Sequence, residues 1–104
     1  MEDRFIEHDS IQPTQIEHKC EEIYFGDKLE QKYNYLVYHF EIDGAYFWAR
    51  AYLDEIDTVS LHGPFESREI VAPIAGQLDS GMIAYFRRRY ERLQTFSGNR
   101  FVDI

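Results

Sequence analysis

Apolar and polar positions alternate most regularly between Tyr33 and Leu53. The alternation runs unbroken from Tyr33 to Ile42, pauses at Asp43-Gly44, and resumes from Ala45 to Leu53. A period of two is the mark of a strand, because successive side chains leave a pleated backbone on opposite faces. Asp-Gly suits the two central positions of a type I′ turn, where both residues need positive φ, so residues 33–53 are predicted to form a β-hairpin. A two-residue loop also sets the pairing: Ile42 opposite Ala45, Phe40 opposite Phe47, Tyr38 opposite Ala49 and Leu36 opposite Ala51. That face, extended by Leu53, alternates large against small and reads as a core layer. The other face presents Tyr35, Val37, His39 and Glu41 against Tyr46, Trp48, Arg50 and Tyr52, which is not the pattern of a solvated surface.

The remaining elements carry weaker periodicity. Thr14-Gln-Ile-Glu17 has the form of a capping box, Ile16, Cys20, Ile23 and Tyr24 follow at helical spacing, and Gly26 supplies a left-handed stop. These features predict a short helix over about 15–25, with a strand over about 20–25 as the competing assignment. Residues 27–32 read as a charged connector, and Asp54, Glu55 and Asp57 as an acidic turn. Thr58 to Leu61 or His62 is predicted as a third strand, and Arg68 to Ile74 as a fourth that Pro73 confines to an edge. Ile83, Phe86, Tyr90 and Leu93 recur at core spacing after an Asp79 or Ser80 cap, predicting a C-terminal helix over about 80–96 that Ser97-Gly98 ends. Residues 1–13 read as a loosely ordered lead-in, and residues 99–104 as a tail able to add a short strand. The fold class expected is therefore α+β: an antiparallel sheet of three or four strands built on the 33–53 hairpin, with the C-terminal helix packed on the Leu36/Phe40/Phe47 face. A chain of 104 residues sets the domain count at one, residues 1–104.

Composition supports a sheet and narrows the chemistry. Eight Tyr and eight Phe in a chain that is 16% aromatic favour strands and bring large buried areas. One cysteine, Cys20, excludes an intrachain disulfide and a four-thiolate zinc site. The N-terminus has no secretory pattern, and no apolar run approaches the length of a membrane span, so a cytoplasmic location is expected. The formal charge is −8, and it is unevenly spread: residues 1–66 hold 5 Lys/Arg against 15 Asp/Glu, whereas residues 67–104 hold 6 against 4. Such an acidic balance disfavours general binding to nucleic acid.

Four groups of residues invite a chemical reading. His8, Asp9, His18 and Cys20 include metal-binding types, but the two histidines stand ten apart across Pro13, and on a helix His18 and Cys20 would diverge. No metal ligand is assigned there. Arg88, Arg89 and Arg92 would form one stripe on the predicted C-terminal helix, a candidate nucleic-acid contact more simply explained by the helix dipole and internal carboxylates. His62, at a strand end before Gly63-Pro64 and after the Asp54, Glu55 and Asp57 turn, is an acid/base candidate more simply explained as a strand-end residue bonded to backbone. No nucleophile elbow, dinucleotide fingerprint or phosphate loop is present, so no catalytic or cofactor-binding residue is assigned and no cofactor is implied.

The fourth group is the outer face of the hairpin. Tyr35, Val37, His39, Tyr46, Trp48, Arg50 and Tyr52 form a contiguous aromatic surface in which Arg50 is placed to lie on Tyr52 or Trp48 as a cation–π contact. Tyr, Trp and Arg are enriched where proteins bind partners. The expected function is accordingly a small non-enzymatic interaction protein that meets a protein partner, or a second copy of itself as a homodimer, through this face. The alternative is a ligand-binding protein or enzyme with a groove on the same face, using His39 and His62. A concave rather than flat face discriminates the two.

Overall fold

Pairing starts at the Asp43-Gly44 turn, where Asp43 (φ 52°) and Gly44 (φ 81°) both take the left-handed conformation that a type I′ turn requires. In the computed structural model, which describes residues 11–70, 72–97 and 100–104, this turn joins β2 (Lys28–Ile42) to β3 (Ala45–Tyr52). Their register is the one read from the alternation, running from Ile42 opposite Ala45 to Tyr35 opposite Tyr52. Four more strands complete one sheet: β1 (Gln15–Phe25), β4 (Thr58–Phe65), β5 (Arg92–Ser97) and β6 (Arg100–Asp103). The strands lie in chain order from β1 to β6, antiparallel everywhere except between β4 and β5. Parallel neighbours need a crossover connection. Residues 66–91 supply it and contain the helix α1 (Ser80–Arg87), capped by the Asp79 carboxylate, which accepts from the Met82 amide at 3.0 Å.

The helix closes one face of the sheet. Met82, Tyr85 and Phe86 are buried on Tyr38, Phe40, Phe47, Leu61 and Leu93, with Phe40 and Phe86 fully inaccessible. Phe86 meets Tyr38 edge to face at 5.0 Å and Phe40 at 5.7 Å, geometry that adds on the order of 1 kcal/mol per pair beyond burial. Tyr38 extends its hydroxyl to that of Tyr90 at 2.9 Å, and burial holds the Tyr38 phenol above its ordinary range. Small residues, Ala49 and Ala51, lie under these rings as the alternation of sizes requires.

Several expectations are overturned. The sheet has six strands instead of three or four, and among the described residues helix accounts for only one short segment. Residues 15–25 form a strand: Thr14 donates its amide to the His39 carbonyl at 2.7 Å and its hydroxyl at 3.2 Å, so the capping-box residue docks on β2 instead. Gly26 (φ 67°), read as a helix stop, turns the β1–β2 hairpin. The C-terminal helix ends at Arg87 and not near 96, because Glu91 and Arg92 donate their amides to Asp57 O at 3.0 and 2.9 Å and draw the chain into β5 beside β4. Leu93 is buried from a strand; its helical spacing from Phe86 is coincidental. The predicted strand over 68–74 is reduced, among the described residues, to one bridge between Phe65 and Pro73. Leu53, assigned to the core face, lies beyond β3 and is exposed. Of the lead-in, residues 1–10 lie outside the described residues, while Ile11 packs against the core.

Two register shifts bend the sheet. In β2, Glu30 has no partner, since Leu29 faces Tyr24 and Gln31 faces Ile23. In β4, Phe65 faces Tyr46 while His62 faces Trp48, so Gly63-Pro64 contributes one residue more than β3 does. Gly63 has φ 132°, and a Cβ there would approach Phe47 Cδ2 to 2.6 Å. Gly63→Ala is therefore expected to destabilise the fold by roughly 2–4 kcal/mol through backbone strain and overpacking, read as a lower denaturation midpoint in urea. A midpoint unchanged from that of the parent contradicts the bulge.

Candidate functional site

The face of the sheet opposite α1 carries a shallow groove, open to solvent along one side. Rows of side chains cross it from strand to strand: Gln15, His39, Trp48 and His62 in one, Glu17, Val37, Arg50 and Ser60 in the next, then Lys19, Tyr35 and Tyr52. The β4 bulge turns Phe65 onto this face beside Tyr46, with ring centroids 6.3 Å apart, and the chain after it brings Arg68 over the β1 end of the rows. Between them lies a groove of about 230 Å³ lined by Glu17, Lys19, Tyr35, Val37, His39, Tyr46, Trp48, Arg50 and Arg68. Six of the seven residues read as a binding surface thus line one cavity; Tyr52 flanks it through contacts to Tyr35 and Arg50. A wider depression of about 500 Å³ adjoins at Tyr46 and Arg68, but its carboxylates, Glu41, Glu66 and Glu69, are exposed to solvent.

Two constellations occupy the groove. In the first, Arg50 lies among three rings, its guanidinium carbon 5.1 Å from the centroid of Tyr35, 5.2 Å from Trp48 and 6.0 Å from Tyr52. Nη1 donates to Tyr52 Oη at 3.2 Å, whereas the buried Nε has no hydrogen-bond partner among the described residues. A buried N–H without an acceptor costs about 1–3 kcal/mol. The aromatic cage thus holds a cation with one donor unused.

The second constellation is a chain of hydrogen bonds through His39. Nε2 lies 2.6 Å from Glu17 Oε1 and Nδ1 lies 2.5 Å from Tyr46 Oη. A carboxylate only accepts, so Nε2 carries the proton and, in the neutral ring, Nδ1 accepts from the tyrosine hydroxyl. Arg68 donates to the same Glu17 oxygen at 3.0 Å and to Gln15 Oε1 at 2.7 Å. The His39 bond, with help from the charges of Lys19 and Arg68, holds the Glu17 carboxyl below its ordinary range. Burial raises Tyr46 above its own, opposed by Arg68 and aided by Glu17, Glu69 and Glu41. His39 is 6% exposed and Tyr46 7%, so this network sits in the groove wall and not on an open surface.

The two histidines expected to act together are held apart. Trp48 stands between them in the same row, and His62 stacks on the indole at 4.0 Å with planes 15° apart. His62 donates through Nε2 to Ser60 Oγ at 3.1 Å, while Ser60 donates to the Arg50 carbonyl at 3.4 Å. Burial, with the Arg50 charge nearby, lowers His62 to about 4. The groups hydrogen-bonded to His39 are instead Glu17 and Tyr46. Sequence reasoning missed Glu17, absorbed into an apparent capping box, and Lys19 and Arg68, whose positions depend on pairing between distant segments. The alternating polar residues Gln15, Glu17, Lys19 and Glu21 were the available signal.

The arginine stripe does not form. Arg89 folds over Tyr85, 3.7 Å from its centroid, and donates to the Tyr85 carbonyl at 2.8 Å; Arg92 lies on β5 against Asp103 at 3.5 Å. Arg88, just past the helix end, also has an interaction partner. His18 and Cys20 are both exposed on β1, and His8 and Asp9 lie outside the described residues. Among the described residues, no three His, Cys, Asp or Glu side chains group as a metal site requires. No helix among them is long and apolar enough to cross a membrane.

The depressed His62 makes stability pH-dependent with a definite sign. Unfolded, the imidazole takes up a proton near its ordinary value of 6.5; folded, it resists until about 4. Between these values the unfolded chain binds more protons, so stability falls as pH drops from 6.5 to 4, by up to about 3 kcal/mol. Urea unfolding across that interval measures the slope. His62→Phe, which keeps a ring on Trp48, is expected to flatten it; an equal slope in the variant assigns the effect elsewhere. No protein-family model matches the chain, and no match is found among curated proteins or solved structures.

Proposed function

We propose that the protein binds a small, planar, anionic molecule in the outer-face groove. The observation that carries this reading is Arg50, a partly exposed guanidinium held beside the flat walls of Trp48 and Tyr35. A carboxylate or enolate pairs with the accessible part of that guanidinium, and its ring supplies a stacking partner. The groove lining holds three cations, Lys19, Arg50 and Arg68, against the single carboxylate of Glu17. In a protein of net charge −8 this is a local reversal of sign, and a low-dielectric cleft focuses such a field on an incoming anion. A volume of about 230 Å³ falls just below the roughly 300–1,000 Å³ of drug-sized sites, which fits one or two fused rings.

The same geometry weakens the protein-docking alternative at this face. Tyr35, Val37 and Tyr46 are buried by their own chain, leaving Trp48, Arg50 and Tyr52 partly accessible, less apolar surface than an interface core needs.

Trp48 is the sole tryptophan, so its indole N–H resonance reports groove occupancy directly. Benzoate is expected to shift that resonance saturably, and benzyl alcohol, equal in shape but uncharged, to bind at least about tenfold more weakly, a difference of about 1.4 kcal/mol. Arg50→Gln should remove the preference. Equal affinity for acid and alcohol, or no saturable shift with either, refutes the reading.

A further inference from the structure

We infer that the groove is a proton-transfer site, with Tyr46 as the group that exchanges a proton with the bound molecule and His39 and Glu17 as the relay behind it. This deepens the anion-binding reading and rests on it. The argument begins with polarity. Glu17 accepts from His39 Nε2 at 2.6 Å, which fixes the tautomer and leaves Nδ1 as an acceptor for the Tyr46 hydroxyl at 2.5 Å. The Tyr46 proton is thereby committed to His39, and the phenol oxygen retains lone pairs with which to accept a proton. The order carboxylate, imidazole, hydroxyl is that of an activated hydroxyl group, here placed in the wall of a cavity.

A structural role alone does not require this arrangement. A buried histidine is satisfied by one carbonyl and one water, yet here both ring nitrogens are engaged by ionisable groups lining the same groove. The His39 bond, with smaller help from the charges of Lys19 and of Arg68, which donates to the same Glu17 oxygen at 3.0 Å, favours the ionised carboxylate that a developing imidazolium needs. Burial keeps Tyr46 protonated at rest, with the charges of Glu17, Glu41 and Glu69 acting in the same sense and Arg68 against them. The phenolate is consequently not stored; a proton taken up at Oη leaves as the original one moves to Nδ1.

The substrate class follows from the other end of the groove. A molecule that gives up a proton to Tyr46 becomes an anion, and the aromatic cage of Arg50 suits a charge spread over a ring. Weakly acidic planar compounds that ionise to delocalised anions, such as cyclic carbonyls passing to enolates, fit both ends. The elementary step balances: the substrate C–H bond breaks, its proton goes to Tyr46 Oη, the Tyr46 proton passes to His39 Nδ1, and the electron pair stays on the substrate as an enolate facing Arg50. Return of the protons in the opposite sense at another carbon completes an isomerisation.

The test uses 5-nitrobenzisoxazole, a planar bicyclic probe whose C3–H is removed by a base as the ring N–O bond breaks, releasing a coloured phenolate. The C–H electron pair becomes the third bond of a nitrile, the N–O pair leaves on oxygen, and the imidazolium then loses its proton to buffer. Binding is followed at the Trp48 indole resonance and turnover by colour. Wild-type protein is expected to turn over the probe saturably, above an equimolar mixture of imidazole and 4-methylphenol. Tyr46→Phe, which keeps the ring, should lower kcat by about a hundredfold with the indole shift and its midpoint unchanged. Glu17→Gln, at a positioning residue, should lower kcat with little change in KM, and Arg50→Gln, which removes the cation facing the developing anion, should lower kcat as well. Binding without turnover, or turnover that Tyr46→Phe leaves intact, overturns the relay while the groove reading stands. Absence of a saturable indole shift with the probe overturns the relay, and its absence with benzoate as well removes the groove reading and the relay together.

Discussion

Adjacent residues of a pleated strand must face opposite sides of the sheet, and β2 and β3 are apolar on both. Everything else in this molecule answers that constraint. On one side the answer is α1, whose Met82, Tyr85 and Phe86 cover Tyr38, Phe40 and Phe47. The other side has no second helix among the described residues. There the chain after β4 brings Arg68 across to Glu17 of β1, and Tyr35, Val37, His39 and Tyr46 become buried in the floor and walls of a groove. Burial of the second face and formation of the cavity are one event.

Two single-residue insertions decide which side chains reach that cavity. Counted from the Gly26-Asp27 turn without interruption, Glu17 falls opposite Leu36 and points toward the helix. The unpaired Glu30 shifts the count by one, so Glu17 faces Val37 and joins the groove within reach of His39. At the other side of the sheet, the extra residue at Gly63-Pro64 moves Phe65 from the helix face to stand beside Tyr46. A one-residue slip exchanges the faces of every following side chain, and these bulges use that property locally. Without the first, the His39 ring loses its carboxylate; without the second, the wall beside Tyr46 and Trp48 is absent.

This explains what the sequence made legible. The β2–β3 hairpin was readable because its turn and both strands are contiguous, and a two-residue Asp-Gly loop leaves no freedom of register. The seven residues of its outer face were identifiable for the same reason, although their concavity was not. β1 was misread because Thr14-Gln-Ile-Glu17 satisfies a helix-start pattern that loses to eleven cross-strand partners on β2. Residues 92–97 were misread because Leu93 falls at a helical interval from Phe86, and only pairing with distant β4 makes them a strand. Glu17 and Arg68 belong to those non-local segments. Half of the candidate site therefore follows from local pattern, and the half that polarises His39 follows from pairings that no short window contains.

The charges of the groove show a division of labour consistent with its floor. Trp48 has a ring on either side of its row, and both are imidazoles. His62 is stacked, half-buried and beside the Arg50 charge, all of which favour its neutral form, so it serves as a flat apolar support above about pH 4. His39 instead is held between a carboxylate and a phenol, partners that can stabilise either form of the ring. Fixed positive charge thus resides on Arg50, Arg68 and Lys19, while exchangeable protons are confined to the Glu17, His39 and Tyr46 chain. Separating the group that anchors an anion from the group that changes its protonation allows each to act without disabling the other. Had His62 carried the charge, protonation near neutrality would have altered the stack on Trp48 and the field at Arg50 together.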